Sequence, residues 1–215
     1  ISIAGNYTNT SGNLNCTGGT VTFVGNSSSI QMNGGLSWLF NNLTVSKTAG
    51  QTLTHSTGSF NIALNYSCTS GSFASTSAGT IALTGGGACS IAHAGAGTTT
   101  FNNIQLNKGA GIDVTSTTDW RVSGNYTNTA GDLLCSAGTV TWGGVAAQTL
   151  QINGGTAQFF NFTVAMSGGF TLTQNTGSFR IDGNYACTSG SFNSTVGAVT
   201  FGGGGASNIS DTSAG

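Results

Sequence analysis

Proline and glutamate are both missing from this 215-residue chain, and charged residues make up only 4% of it. Each shortage excludes something. Four basic and five acidic residues give a net charge of −1, so no basic patch exists to neutralise phosphates and nucleic acid is excluded as a partner. No apolar run approaches the ~20 residues that carry a helix across a bilayer, so no membrane span of that kind is expected. An outer-membrane barrel needs ~10-residue alternating strands between aromatic girdles. The alternating runs here are shorter and more often interrupted. An initiator Met and a leader-like segment are lacking too, which reads as a mature or excised region.

Ionisable groups are too scarce for ordinary catalysis. The acids are Asp113, Asp119, Asp132, Asp182 and Asp211, and the only histidines are His55 and His93. Asp119, Arg121, Arg180 and Asp182 form the nearest thing to a cluster, and surface ion pairing explains them better than polysaccharide cleavage. The cysteine spacings fit no zinc pattern, and the Asp-bearing glycine nonapeptide of calcium-binding β-rolls is absent. The run Gly202 to Gly205 is not followed by the Lys-Ser/Thr of a phosphate loop. The expectation is a non-enzyme with no catalytic residue, no metal and no cofactor.

What the chain does have is a repeat. Gly5-Asn6-Tyr7, Leu64-Asn65-Tyr66, Gly124-Asn125-Tyr126 and Gly183-Asn184-Tyr185 place the asparagines at intervals of 59, 60 and 59 residues. A sustained period of this length marks one supersecondary unit copied in tandem. The copies run 1–59, 60–119, 120–178 and, incompletely, 179–215, within a single repeat domain. Other columns keep their chemistry: Gly12, Gly71, Gly131 and Gly190; Phe23, Leu83, Trp142 and Phe201; Phe60, Trp120 and Phe179; Phe40, Phe101 and Phe159; Asn42, Asn103 and Asn161.

Period-2 alternation, as in Phe60-Asn-Ile62-Ala-Leu64-Asn-Tyr66, fills the segments between Ser-Gly, Gly-Gly and Asn-Gly turns, and no stretch has helical period. The fold expected is all-β, a β-solenoid of about 60-residue tandem repeats stacked in register. An antiparallel β-sandwich built from the repeats is the alternative. Stacking in register predicts ladders of Asn6, Asn65, Asn125 and Asn184 and of Tyr7, Tyr66, Tyr126 and Tyr185, each side chain meeting its own kind in the next layer. It would also set Lys47 above Lys108 and Arg121 above Arg180. A rung of ~20 residues would give eleven rungs and a stack of about 50 Å, whereas a rung of the entire repeat would give about 17 Å.

Cys16 and Cys135 share one column, and Cys68 and Cys187 another, seven residues earlier in the unit. They read either as small buried residues or as cross-links between copies. Cys16–Cys68 with Cys135–Cys187 would staple the chain internally. Cys68–Cys135 alone would leave Cys16 and Cys187 to join successive subunits, with Cys89 as the odd thiol. Cysteine in such a chain suggests an oxidising, extracellular setting.

Ten Asn-x-Ser/Thr sequons occur, at Asn6, Asn9, Asn15, Asn26, Asn42, Asn65, Asn125, Asn161, Asn193 and Asn208. Those inside asparagine ladders would be poor acceptors. Thr-x-Thr pairs at Thr20/Thr22, Thr52/Thr54, Thr139/Thr141 and Thr171/Thr173 raise ice binding as a minor alternative. Trp38, Trp120 and Trp142 would stack on sugars if exposed, although Trp120 and Trp142 fall in apolar columns.

The string Gly-Asn-Tyr-Thr-Asn-Thr-Ser-Gly at 5–12, with Gly-Thr-Val-Thr-Phe at 19–23 and Phe-Asn-Asn-Leu-Thr-Val at 40–45, resembles tandem repeats of large secreted microbial surface proteins. The resemblance covers essentially the whole chain. It implies a β-solenoid adhesin, sheath or structural layer. The functional expectation is a structural subunit whose partners are copies of itself, assembling outside the cell. A glycan-binding adhesin stalk is the alternative, with glycans as partner.

Overall fold

Strict alternation builds the strands. In Asn42–Lys47, Leu43, Val45 and Lys47 point inward while Asn42, Thr44 and Ser46 face out. The same two-residue rhythm recurs in Thr52–Thr57, Asn103–Lys108 and Asn161–Ala165. Gly12, Gly71, Gly131 and Gly190 close the turn after or between these strands at φ values of 75°, 69°, 89° and 74°. Only glycine enters that region without steric cost. A second reason operates at Gly71 and Gly131, where an added Cβ would come within 2.5 Å of Lys47 Cβ and 2.6 Å of Lys108 Cβ.

The structure, a computed structural model, describes residues 1–34 and 38–213. Gly215, where the fourth copy ends, lies outside the described residues. The chain winds into a parallel β-solenoid of about nine turns with about 23 residues per turn. Three parallel sheets form its sides. The first sheet starts at Ser2–Ile3 and has ten strands, the second starts at Tyr7–Asn9 and has ten, and the third starts at Leu14–Asn15 and has nine. At ~4.8 Å per rung, ten strands span about 43 Å. The helix content among the described residues is one 3-10 turn, Ser167–Gly169.

The rung is therefore close to the shorter of the two sizes expected, and it does not divide the repeat evenly. Tyr7, Tyr66, Tyr126 and Tyr185 each open a strand, and consecutive members are eight strands apart. With three strands per turn, one repeat makes two and two-thirds turns. Each copy is thus stacked on the last along one axis but rotated by one side of the prism, rising about 13 Å. Tyr7 lies on the second sheet, Tyr66 on the first, Tyr126 on the third and Tyr185 on the second again.

This screw corrects the expected ladders. Tyr66 sits between Leu43 and Ile91, and Tyr126 between Ile104 and Leu150, so no tyrosine stacks on another. Lys47 and Lys108 end strands of different sheets, and so Lys47 does not lie under Lys108. Arg121 and Arg180 are likewise separated, on the second and first sheets. The aromatic columns meet one another rather than themselves. The Tyr66 ring packs edge-on 5.2 Å from Phe101, and Tyr126 packs 6.4 Å from Phe159 in the equivalent place one repeat later. One continuous apolar core runs through the stack, with Phe23, Phe73, Phe101, Trp142 and Phe159 fully buried. Each such ring contributes roughly 1.5–3 kcal/mol relative to exposure.

Candidate functional site: corner ladders and buried cations

The corners of the prism carry the polar chemistry, and asparagine organises them. Residues of two different columns stack, 22 or 23 positions apart. Asn65 donates from Nδ2 to Asn42 Oδ1 at 3.1 Å, and its own Oδ1 accepts from the Ser90 amide and hydroxyl, each at 3.0 Å. On the third sheet the Asn125 backbone N–H donates to Asn103 Oδ1 at 2.9 Å, and Asn125 Oδ1 accepts from the Thr149 backbone N–H and hydroxyl at 2.8 and 2.9 Å. On the second sheet the Asn184 amide donates to Asn161 Oδ1, and the Asn208 amide to Asn184 Oδ1, both at 2.9 Å. Asn6 accepts from the Ser29 amide at 2.9 Å. The ladders thus exist, but they climb Asn42 to Asn65, Asn103 to Asn125 and Asn161 to Asn184, and the screw places one on each side of the prism.

A second set of corners uses Ser59, Asp119 and Ser178. Each accepts the amide of the residue one turn on: Thr80 at 2.9 Å, Thr139 at 2.7 Å and Ala198 at 2.9 Å. Asp119 is therefore a turn-capping residue. Asp132 does the same for the Thr156 amide and hydroxyl at 2.7 and 2.8 Å. The four residues that the sequence grouped do not converge. Arg180 pairs with Asp182, which also accepts from Gln158 at 2.6 Å. Arg121 instead donates from Nε to the Gly143 carbonyl at 3.1 Å, on another side of the prism.

Two cations lie inside. Lys47 is 1% exposed and Lys108 3%. Lys47 Nζ donates to the Val24 carbonyl at 2.8 Å and to Ser28 Oγ at 2.6 Å. Lys108 Nζ donates to the carbonyls of Ala63 and Thr84 at 2.6 Å and of Gly87 at 3.1 Å. These oxygens offset the cost of burying an ammonium without a carboxylate. Burial still lowers the Lys47 pKa. Met166, fully buried, takes the equivalent place in the third copy, where the carbonyl corresponding to those of Val24 and Thr84 is that of Gly143 and its donor is Arg121. The sequence columns set one lysine above the other and did not mark them as internal. The signal that marks them as internal is that Lys47 and Lys108 continue the inward phase of their strands.

His55 is fully buried. Its Nδ1 faces Ser75 Oγ at 2.9 Å and its Nε2 faces the Thr57 carbonyl at 3.1 Å. Burial depresses its pKa, partly countered by backbone hydrogen bonds. His93 contacts Thr99 Oγ1 at 3.1 Å and the Gly95 carbonyl at 3.0 Å. Among the described residues no group of three or more His, Cys, Asp or Glu side chains is placed to hold a metal.

All five cysteines are thiols: Cys68, Cys89, Cys135 and Cys187 are buried and Cys16 half-buried. This fits the reading of small buried residues and gives no support to cross-links within the chain. Cys68 and Cys135 are three strands apart in one sheet, about 14 Å, beyond the ~7 Å limit for a bridge. Cys89 is on the strand next to Cys68, but Cys68 pairs with His93, four residues along. Cys16 and Cys187 lie on strands of the other two sheets or their ends. Burial pushes the Cys135 thiol up to about 12 and raises Cys68 and Cys89.

The three tryptophans are all core residues, with Trp38 the most accessible at 8%, which removes them as sugar platforms. The Thr-x-Thr pairs are spread over three sheets. On the second sheet the outward column through Thr54, Thr100, Thr141 and Thr163 is broken by Ala74 and Arg121. Among the sequon asparagines, Asn6, Asn15, Asn26, Asn65, Asn125, Asn193 and Asn208 are exposed. A cavity of 570 Å³ lies over the glycine-lined corner around Gly154 and Gly177. A polar groove of 460 Å³ covers the third-sheet asparagine ladder.

Comparison with known proteins adds no relative: no protein-family model, no curated protein and no solved structure matches this chain. The class is the one defined by the fold, a three-sided parallel β-solenoid with asparagine-laddered corners.

Proposed function

We propose that this chain is a structural element, a solenoid segment that extends by stacking repeat on repeat and assembles with copies of itself outside the cell. The observation that carries the reading is the screw of two and two-thirds turns. Every 60 residues it regenerates the same end face, rotated by one side, so the stack is extended by identical contacts whether the next repeat belongs to the same chain or to another copy. Ile1 is 81% exposed, and Val196, Phe201 and Ile209 are 56%, 42% and 66% exposed, an apolar surface that a further turn, of this chain or of another, would cover. Almost no charge opposes edge-to-edge pairing. Non-enzymatic function is supported by the dispersal of the ionisable side chains into capping and caging roles. The extracellular placement and the likeness to microbial adhesin, sheath or layer proteins rest on the repeat motifs, because unpaired thiols no longer argue for an oxidising compartment.

Electron microscopy of the native material, with light scattering across concentration, tests the reading. Regular filaments or layers with a ~4.8 Å meridional spacing are expected. Dispersed monomers at high concentration, from a chain established as the complete mature product, would overturn it.

A further inference from the structure

We infer that the groove on the third sheet is a binding site for neutral saccharide, independent of whether the chain self-assembles. The three asparagine ladders are screw-equivalent, yet on the third sheet Asn103 and Asn125 together line a groove of 460 Å³, whereas on the second sheet Asn184 lines a smaller one of 270 Å³ without Asn161. The difference lies in the neighbouring outward column. There Gln105, Thr127 and Gln151 stack in register beside Asn103, Asn125 and Thr149. The equivalent residues are Thr44, Ser67 and Ala92 on the first sheet and Thr163, Ala186 and Ser210 on the second. Two glutamines therefore wall the third-sheet groove where the other sides carry short side chains.

The lining is uncharged, and its hydrogen-bond capacity is incompletely used. Gln105 Nε2 donates to Thr129 Oγ1 at 2.8 Å, which leaves Gln105 Oε1 as an acceptor. Gln151 Oε1 accepts from Thr127 at 3.3 Å, which leaves Gln151 Nε2 as a donor. Asn125 Oδ1 is occupied by Thr149, and Asn125 Nδ2 is free to donate. Planar amides offering both donors and acceptors across ~4.8 Å rungs suit neighbouring hydroxyl groups, each of which can donate and accept. A phosphate or uronate would meet no cation here, and a peptide would find no unpaired backbone in the middle of the sheet. Without an exposed aromatic platform a single groove binds weakly, with Kd on the order of 1 mM. Stacked copies would raise the avidity.

The test is titration of the isotope-labelled full chain with cellohexaose, maltohexaose, xylohexaose and mannohexaose, reading the side-chain amide signals by NMR. An oligogalacturonate serves as charged control. At least one neutral oligomer is expected to shift the Gln105, Asn125 and Gln151 amides, saturating in the millimolar range. Gln105→Ala with Gln151→Ala should weaken it about tenfold or more. Thr44→Gln with Ala92→Gln should create a second responsive groove on the first sheet. No amide shift with any neutral oligomer, shifts confined to other residues, or an equal response to oligogalacturonate would each overturn the proposal.

Discussion

Arg121 lies across Gly143. Its Nε hydrogen-bonds the Gly143 carbonyl at 3.1 Å, and its guanidinium fills the space where a side chain on that glycine would begin. One copy later Arg180 covers Gly202 in the same way, but its Nε pairs with Asp182. In the second copy the same two places hold Asn61 and Thr84, and the carbonyl of Thr84 is served from inside by Lys108. The repeat thus satisfies one corner carbonyl by two routes, an arginine from outside over a glycine or a lysine from within. Gly143→Ala should cost about 1–3 kcal/mol, the range for forcing atoms into filled space. Arg121→Asn in the same chain should return part of it; the Ala165 carbonyl, 2.9 Å from the added Cβ, keeps the rest. Urea titrations of both single variants and the double variant give the coupling directly, and additive losses would refute the relationship.

The lysine route makes its own prediction. Lys108→Met removes the donor from three carbonyls and should destabilise by about 1–3 kcal/mol, although methionine is the natural residue at this place in the third copy. Importing the partners of the other route, Asn61→Arg and Thr84→Gly, should recover at least half of the loss. A triple variant no more stable than Lys108→Met would mean that the two corners are not interchangeable.

The all-β class, the alternation and the positive-φ glycines were legible because each is a local property of a few residues. The period was legible too, but its geometry was not. Counting identical residues finds 60, whereas the pairing of layers depends on how many strands the unit holds, and eight is not a multiple of three. A second period was present and went unread: Asn42 to Asn65, Asn103 to Asn125 and Asn161 to Asn184 are 23, 22 and 23 residues apart, the length of one turn. The internal lysines were masked by the rule that charge is exposed, which fails where carbonyls converge. The third-sheet groove needs side chains from three turns, Gln105, Thr127 and Gln151, that no single motif joins.

His55 should give the stability a pH dependence near neutrality. Burial holds its folded-state pKa below the usual 6.5. As pH falls below that value the unfolded chain takes up a proton and the folded one does not, so stability is full above pH ~6.5 and declines with acidification until the folded pKa is reached. The slope is at most about 1.4 kcal/mol per pH unit from one such group. Gln174 stands at the equivalent place in the third copy and donates to the Gly177 carbonyl at 2.6 Å. His55→Gln should therefore fold and flatten the profile between pH 7 and 5. An unchanged slope would assign the dependence to other groups.

The cysteines divide by accessibility rather than by pairing. The thiolate is the reacting species, and burial both shields Cys68, Cys89 and Cys135 and holds their thiols protonated, Cys135 most strongly at about 12. Cys187 is 2% exposed, and Cys16 alone is half-buried. At pH 8 a thiol-specific chromogenic disulfide should therefore label one site quickly in the folded chain and four more only on unfolding, and Cys16→Ser should abolish the fast phase. Non-reducing electrophoresis should show a monomer band. Any filaments should survive dithiothreitol, because the contacts that extend the stack are strand ladders and asparagine amides rather than sulfur bridges. Loss of assembly on reduction, or rapid labelling of Cys135, would contradict the geometry that keeps these sulfurs apart and inside.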